Sequence, residues 1–308
     1  MIKRKVLLVV LGISIIRLLA GQDLDLTKAI LKVDTIPFIL TEHNNIAIYA
    51  QLNGVDSIKL MFHTAANDIS LIKESAKELK SLIWDEKVDG VKSWGGTGEQ
   101  RTSKNNSLRI GDLEWNKLLI WENVHSGPTT DGKFGPNLFK DRPIEIDFES
   151  KHLVVHSNLP IHINNYEKIP IQFENGFMFI GAISIIKEVE VKNRYLIHSG
   201  YSGAVLLDDI FVEEHEISEN IDITEEQELK DSFGNILKTK KGLLSKFVIG
   251  KYELQNLPVG FFEGSIGRQK MSVIGGNILK RFNIIIDSNR ENLYVKSNGL
   301  SLLTYKNG

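Results

Sequence analysis

Beyond its amino-terminal segment the chain alternates apolar and polar residues in short extended runs: IAIYAQL, IKLMF, KLLIW, IEIDF, HLVVH, FMFIGAISII, FVIGKYEL, NIIID and NLYVK. The period is two, and β-branched and aromatic residues dominate, which is the signature of half-buried strands. Turn-forming stretches such as LNGVDS, GDLEWN, SFGN and SNRENL separate the runs at hairpin spacing. Helical periodicity is confined to SLIKESAKELKSLI, residues 70–83, with single turns expected at PNLFKD and GNILKR. The expected fold class is all-β.

An internal repeat sharpens this picture. DGKFGPNLFKDRPIEIDFESKHLVVH, residues 131–156, aligns without a gap on MSVIGGNILKRFNIIIDSNRENLYVK, residues 271–296. Gly135 falls on Gly275, Asn137 on Asn277 and Asp147 on Asp287. A similar step back from each copy reaches LMFHTAANDISL, residues 60–71, and YLIHSGYSGAVL, residues 195–206, so that His63 matches His198. The chain therefore reads as two homologous halves, residues 33–157 and 168–298, joined near SNLPIHINNYEKIP and followed by a short tail. Duplication of this kind predicts a pseudo-two-fold molecule with a cleft where matching loops meet, and the two histidines should face each other there.

The length, 308 residues, suffices for two lobes with a substantial core. With 37 basic and 39 acidic residues and no long run of either sign, no electrostatic footprint for nucleic acid or an anionic membrane stands out. The absence of cysteine excludes disulfides, thiolate metal ligands and a lipoprotein attachment. Residues 1–20 read as a secretory signal: Lys3, Arg4 and Lys5 precede the apolar run VLLVVLGISII, and small residues near Ala20 suit cleavage. A short membrane-anchoring tail is the alternative. The mature protein is expected to be periplasmic or secreted, and not an integral membrane protein.

On these residues each half resembles the lobe of an aspartic peptidase, of the bilobal pepsin-like kind or of the bacterial single-chain relatives of retropepsins. In that family each lobe carries an apolar strand ending in Asp-Thr/Ser-Gly, a flap hairpin, and an apolar-apolar-Gly element with a short helix. VIGGNILKRFNIIID, residues 273–287, and DGKFGPNLFKDRPIEID, residues 131–147, match the last of these. The resemblance implies a two-lobed acid-protease fold with a central cleft. The departure is in the triplets, which read His63-Thr64-Ala65 and His198-Ser199-Gly200, so both catalytic acids of the family are missing. No Asp-Thr-Gly or Asp-Ser-Gly occurs elsewhere, and KDSFGN, residues 230–235, falls where the second flap belongs. VKSWGGTGEQ, residues 91–100, falls at the first flap, making Trp94, Gly95 and Gly96, with Gly200, the candidate substrate-binding residues; a plain exposed hairpin tip accounts for the same glycines.

The aspartic mechanism needs two carboxylates that share one proton, one ionised to activate water and one protonated to bond the substrate carbonyl. Two imidazoles with an ordinary pKa of about 6.5 would be mostly neutral at pH 7 and would resist double protonation. His63, His198, Thr64 and Ser199 are the catalytic candidates, and three readings stand. The first is a peptidase-family homologue that binds a peptide or protein chain in the cleft without the Asp-dyad chemistry. The second is an active hydrolase in which one neutral ring acts as base and its protonated partner as acid. The third adds a metal between the rings, for which Asp68 or His125 would have to supply the third ligand. The first leads, no cofactor is expected, and no metal ligand set is assigned. Asp131 suits a turn-capping role, Phe261 and Phe262 are expected beneath the cleft, and Arg268 and Lys270 are the charges nearest to it. His43, His152, His156, His162 and His215 are read as surface or strand residues.

Overall fold

A computed structural model of the chain describes residues 33–93, 96–124, 127–230, 236–264 and 269–305. Val, Ile, Phe and Tyr fill its extended runs because such side chains pack well on a pleated, half-buried surface. The strands form two sheets. An eight-stranded sheet between Ile39 and Phe134 closes into a barrel: strand Ile46–Leu52 pairs with Asp56–Phe62 and also, through Gln51 and Leu52, with Arg109 and Leu108 of strand Gly96–Ile110. A thirteen-stranded sheet contains a second barrel, sealed where Ile183, Ser184 and Ile185 pair with Val248, Phe247 and Lys246. Closure removes the exposed edges that open sheets must protect. The molecule is thus mostly β with two barrel lobes, as the resemblance implied.

Between the barrels the larger sheet runs through strands Val33–Pro37, His152–His156, Ile144–Asp147, Phe282–Ile286, Asn292–Ser297 and Glu167–Glu174. At its middle Ile144 pairs with Ile286, Glu145 with Ile285 and Ile146 with Ile284. Ile144 and Ile284 hold the same place in the repeat, as do Ile146 and Ile286, so this register maps onto itself when the halves are exchanged. The outer pairings follow suit: Ile146 faces Leu153 as Ile286 faces Leu293, and Ile144 faces Val155 as Ile284 faces Val295. All eight side chains are buried. At about 1.5–3 kcal/mol for each fully buried aliphatic side chain, this ladder is a principal reason the two lobes stay in one register.

The helix expected over residues 70–83 is largely absent. Ile69–Ile72 is a strand, only Lys73–Ala76 is helical, and the chain then runs irregularly to the strand that begins at Glu86. Two competing interactions explain the difference. Ser70 and Leu71 are drawn into the barrel by pairing with Lys133 and Gly132, and the Asp56 carboxylate accepts hydrogen bonds from the N–H groups of Lys80 (3.0 Å) and Ser81 (2.8 Å) and from the Ser81 hydroxyl. A side chain that takes over backbone donors in this way stops a helix. The expected single turns do form, as a 3-10 turn over Pro136–Phe139 and an α-turn over Gly276–Leu279. A helix at Asp209–Glu214, started by Asp208 accepting from the N–H of Phe211 at 2.9 Å, was not anticipated. No helix among the described residues is long and apolar enough to cross a membrane. The segment read as a signal, residues 1–20, lies outside the described residues.

Candidate functional site

Strand Asp56–Phe62 ends immediately before His63, and strand Val189–His198 ends on His198. Each lies parallel to a short strand that delivers a glycine: Leu60, Met61 and Phe62 pair with Gly132, Lys133 and Phe134, while Ile197 and His198 pair with Ile274 and Gly275. A Cβ on Gly135 would lie 1.6 Å from the carbonyl oxygen of Ala66, and one on Gly275 would lie 2.3 Å from that of Gly203. The apolar-apolar-Gly element thus uses glycine because the turn after each histidine passes too close for any side chain. Those turns match as well: the N–H of Ala66 donates to the His63 carbonyl at 2.9 Å and that of Tyr201 to the His198 carbonyl at 3.1 Å.

Across the pseudo-axis the second residues of the triplets lock together. The Thr64 hydroxyl donates to the Ile197 carbonyl at 2.7 Å and accepts from the N–H of Ser199 at 2.9 Å. Reciprocally, the Ser199 hydroxyl donates to the Phe62 carbonyl at 2.8 Å and accepts from the N–H of Thr64 at 3.0 Å. Both residues are fully buried, so each of these bonds forms where water cannot substitute for it. Asn45 and Asn44 add bonds from the first lobe to the carbonyls of Ser199 (2.8 Å) and Ser202 (2.7 Å).

This frame brings the two imidazoles together. The ring centroids of His63 and His198 are 4.4 Å apart with the planes inclined at 61°. Gly200 lies against both: a Cβ there would fall 2.4 Å from Cδ2 and Nε2 of His63 and 3.2 Å from Cε1 of His198. The Nδ1 atom of His63 accepts from the N–H of Ala65 at 3.1 Å, which assigns the proton of the neutral ring to Nε2. Nδ1 of His198 is buried and has no hydrogen-bond partner among the described residues.

Electrostatics keep the pair uncharged. Burial, followed by the charge of its neighbour His198 and that of Lys133, holds His63 well below the ordinary imidazole value of 6.5. Burial first, and Lys133 after it, push His198 down to about 4. The pair as a unit therefore takes up its first proton only well below 6.5, and that charge opposes a second. Lys133 is itself displaced downward by burial. It is a component of the site that the sequence reading did not single out, although the repeat alignment sets it against Val273 in an otherwise apolar pair of strands.

Thr64 and Ser199 are at the pair, with both hydroxyls engaged in the frame. Gly96 pairs with Ser93 at the tip of the first flap hairpin, while Trp94 and Gly95 lie outside the described residues, as do His125 and Arg268. Strands Asp222–Lys230 and Ile236–Ile249 flank the second flap position, and residues 231–235 between them lie outside the described residues. Among the described residues no three His, Asp or Glu side chains converge on a metal position, so Asp68 supplies no third ligand. Asp131 accepts from the N–H of Lys59 at 2.8 Å, a structural task. Phe261 is part of the hydrophobic core, and Lys270 is exposed. His156, read as a surface or strand residue, ends strand His152–His156 and is buried; its Nε2 lies 2.7 Å from the carboxylate of Glu145, which also receives His162 at 3.1 Å.

No protein-family model matches the chain, and no curated protein does. Among solved structures the chain is similar to the aspartic proteinase from Irpex lacteus, with a TM-score of 0.58 and 12% sequence identity over 89% of this chain and 100% of that one. Likeness at this identity speaks to architecture and leaves chemistry to the residues of the site. The chain has the two-lobed, double-barrel fold of an aspartic proteinase.

Proposed function

We propose that the protein binds an extended peptide-like chain in the cleft between its lobes and does not hydrolyse it by the aspartic-dyad route. The observation that carries this reading is the buried His63–His198 pair, ring against ring at 4.4 Å, where burial disfavours the charged form of each imidazole. Dyad catalysis depends on one proton shared between two groups, so that an acid polarises the carbonyl while its partner takes a proton from water. Two imidazoles displaced below their ordinary range carry no shared proton at pH 6–7. Protonating one would set an imidazolium in a buried site that already feels the Lys133 amine. The chemistry is lost while the frame around it is intact, and the proteinase-like fold supports a cleft that accepts an extended chain. The basic and then apolar start of the chain supports a periplasmic or secreted setting.

The test is incubation of the purified protein with a peptide library between pH 4 and pH 7, read for cleavage by mass spectrometry and for retention by affinity selection. Peptides should be retained uncut, and His63→Ala should leave affinity within about threefold, since a neutral ring adds little binding energy. Turnover that disappears in both His63→Asn and His198→Asn would replace this reading with a histidine-pair hydrolase.

A further inference from the structure

The two lobes present matching positions to the histidine pair, and their chemistry differs. In the second lobe Leu196, Val273 and Leu206 lie side by side on neighbouring strands. Leu196 and Val273 form a small apolar cluster with Phe179, against which Phe177, Tyr201, Leu206, Met271 and, from the first lobe, Ala65 pack. Ala65 belongs to the His63 triplet, so the cluster adjoins the pair. In the first lobe the same three places are held by Met61, Lys133 and Ser70, again side by side. Phe134, next to Lys133, is buried in the barrel core, and strand alternation turns Lys133 to the opposite face, the one shared by Met61 and His63.

Lys133 is half-buried, and no carboxylate among the described residues forms an ion pair with it. Its charge lowers the pKa of both imidazoles. The neighbouring Ser70 hydroxyl is buried without a hydrogen-bond partner among the described residues. A partly desolvated amine without a counter-ion is costly to keep and gains from any anion that reaches it. One wall beside the pair is therefore cationic and the other apolar.

We infer that the cleft selects an extended chain bearing a carboxylate that seats against Lys133, next to an apolar side chain that seats against the Leu206, Met271 and Phe177 wall. This rests on the peptide-binding reading above and adds the class of chain. The carboxylate is supplied by an Asp or Glu side chain or by the end of the chain.

The test is isothermal titration with acetylated octapeptides on an Ala/Ser background, carrying Glu and Leu adjacent in both orders. Gln and Lys replacements of Glu are compared in amidated peptides, with a parallel arm of peptides ending in a free carboxylate after Leu. The wild-type protein should bind a Glu peptide about tenfold more tightly than its Gln counterpart, the size of one charge-assisted contact. Lys133→Met, a substitution toward the apolar residue of the other lobe, should reduce that preference to under twofold and leave the Leu requirement in place. Tightening only by the free carboxylate would support the same site with the chain end as its anion. Equal binding of Glu and Gln peptides, with no gain from the free end, would overturn the inference and leave peptide binding standing. Failure of every peptide to bind would overturn the peptide-binding reading itself.

Discussion

Thr64 and Ser199 each use one hydroxyl to accept the other's backbone N–H and to donate to a carbonyl of the opposite lobe, at Ile197 and Phe62. The four bonds obey the same exchange of halves as the Ile144–Ile286 and Ile146–Ile284 ladder. Together these contacts fix where the two histidines stand, and they do so independently of the residue type at positions 63 and 198.

Thr64→Val keeps the shape of the side chain but leaves the Ser199 N–H and the Ile197 carbonyl unpaired in a buried setting. At about 1–3 kcal/mol for each buried group left without a partner, the loss should be roughly 2–4 kcal/mol, given that the carbonyl retains its second lone pair. Thr64→Ser retains the hydroxyl and should lose about 1 kcal/mol or less, from the missing methyl group. Urea unfolding at pH 7 with the slope checked for two-state behaviour measures both.

Gly200→Ala should disturb the pair by contact alone, because the Cβ would meet Cδ2 and Nε2 of His63 at 2.4 Å. The matching residue of the first half is Ala65, whose methyl group packs against the apolar cluster of the second lobe, so the two positions are not interchangeable. Overpacking of this kind costs about 1–3 kcal/mol. Thermal unfolding should register the loss, and Ala65→Gly should cost less than Gly200→Ala.

Stability should fall between pH 6.5 and pH 4. A histidine whose folded pKa lies below its unfolded value is neutral in the fold and takes up a proton on unfolding, so acid favours the unfolded chain. His198 moves from 6.5 to about 4, and at about 1.4 kcal/mol for each pH unit this amounts to roughly 3–4 kcal/mol at most, complete below pH 4. His63 shifts in the same direction and adds to the trend. Urea midpoints of the wild type and of His198→Asn across this range provide the check: the wild type should decline and the variant should decline less steeply.

Glu145 acts in the same direction, over a more acidic window. Burial raises its pKa, but the hydrogen bond from His156 and the bond and charge of His162 outweigh that and hold the carboxyl below 4.5. A carboxylate with a depressed pKa contributes stability above its unfolded value, and that contribution is lost as pH falls through the folded one. Glu145→Gln should therefore be destabilising by about 1–3 kcal/mol at pH 7, with the difference from wild type shrinking toward pH 3. Guanidinium unfolding at both pH values tests it.

Much of this architecture was legible in the chain. Period-two runs located most strands, and the alignment of Gly135 with Gly275 located the element that each histidine packs beside; the symmetry of that alignment put His63 opposite His198. What escaped was decided by contacts distant in sequence. The helical periodicity of residues 70–83 yields to pairing of Ser70 and Leu71 with Lys133 and Gly132 and to the Asp56 carboxylate. His156 and His162 converge because a strand and a 3-10 turn bring them both to Glu145, which no spacing rule announces. Lys133 stood in plain view as the polar member of an apolar pair, but its meaning depends on the Met61–Lys133–Ser70 register.

Protonation of the two imidazoles separates binding from hydrolysis, and nitrogen-detected NMR of histidine-labelled protein between pH 8 and pH 3 reads it directly. Both rings should be neutral at pH 6, with the proton of His63 on Nε2, and the first transition of the pair should fall well below 6.5. A ring of the pair that is protonated at pH 6 would restore an acid and a base to the cleft and contradict the reading of a site that binds without dyad hydrolysis.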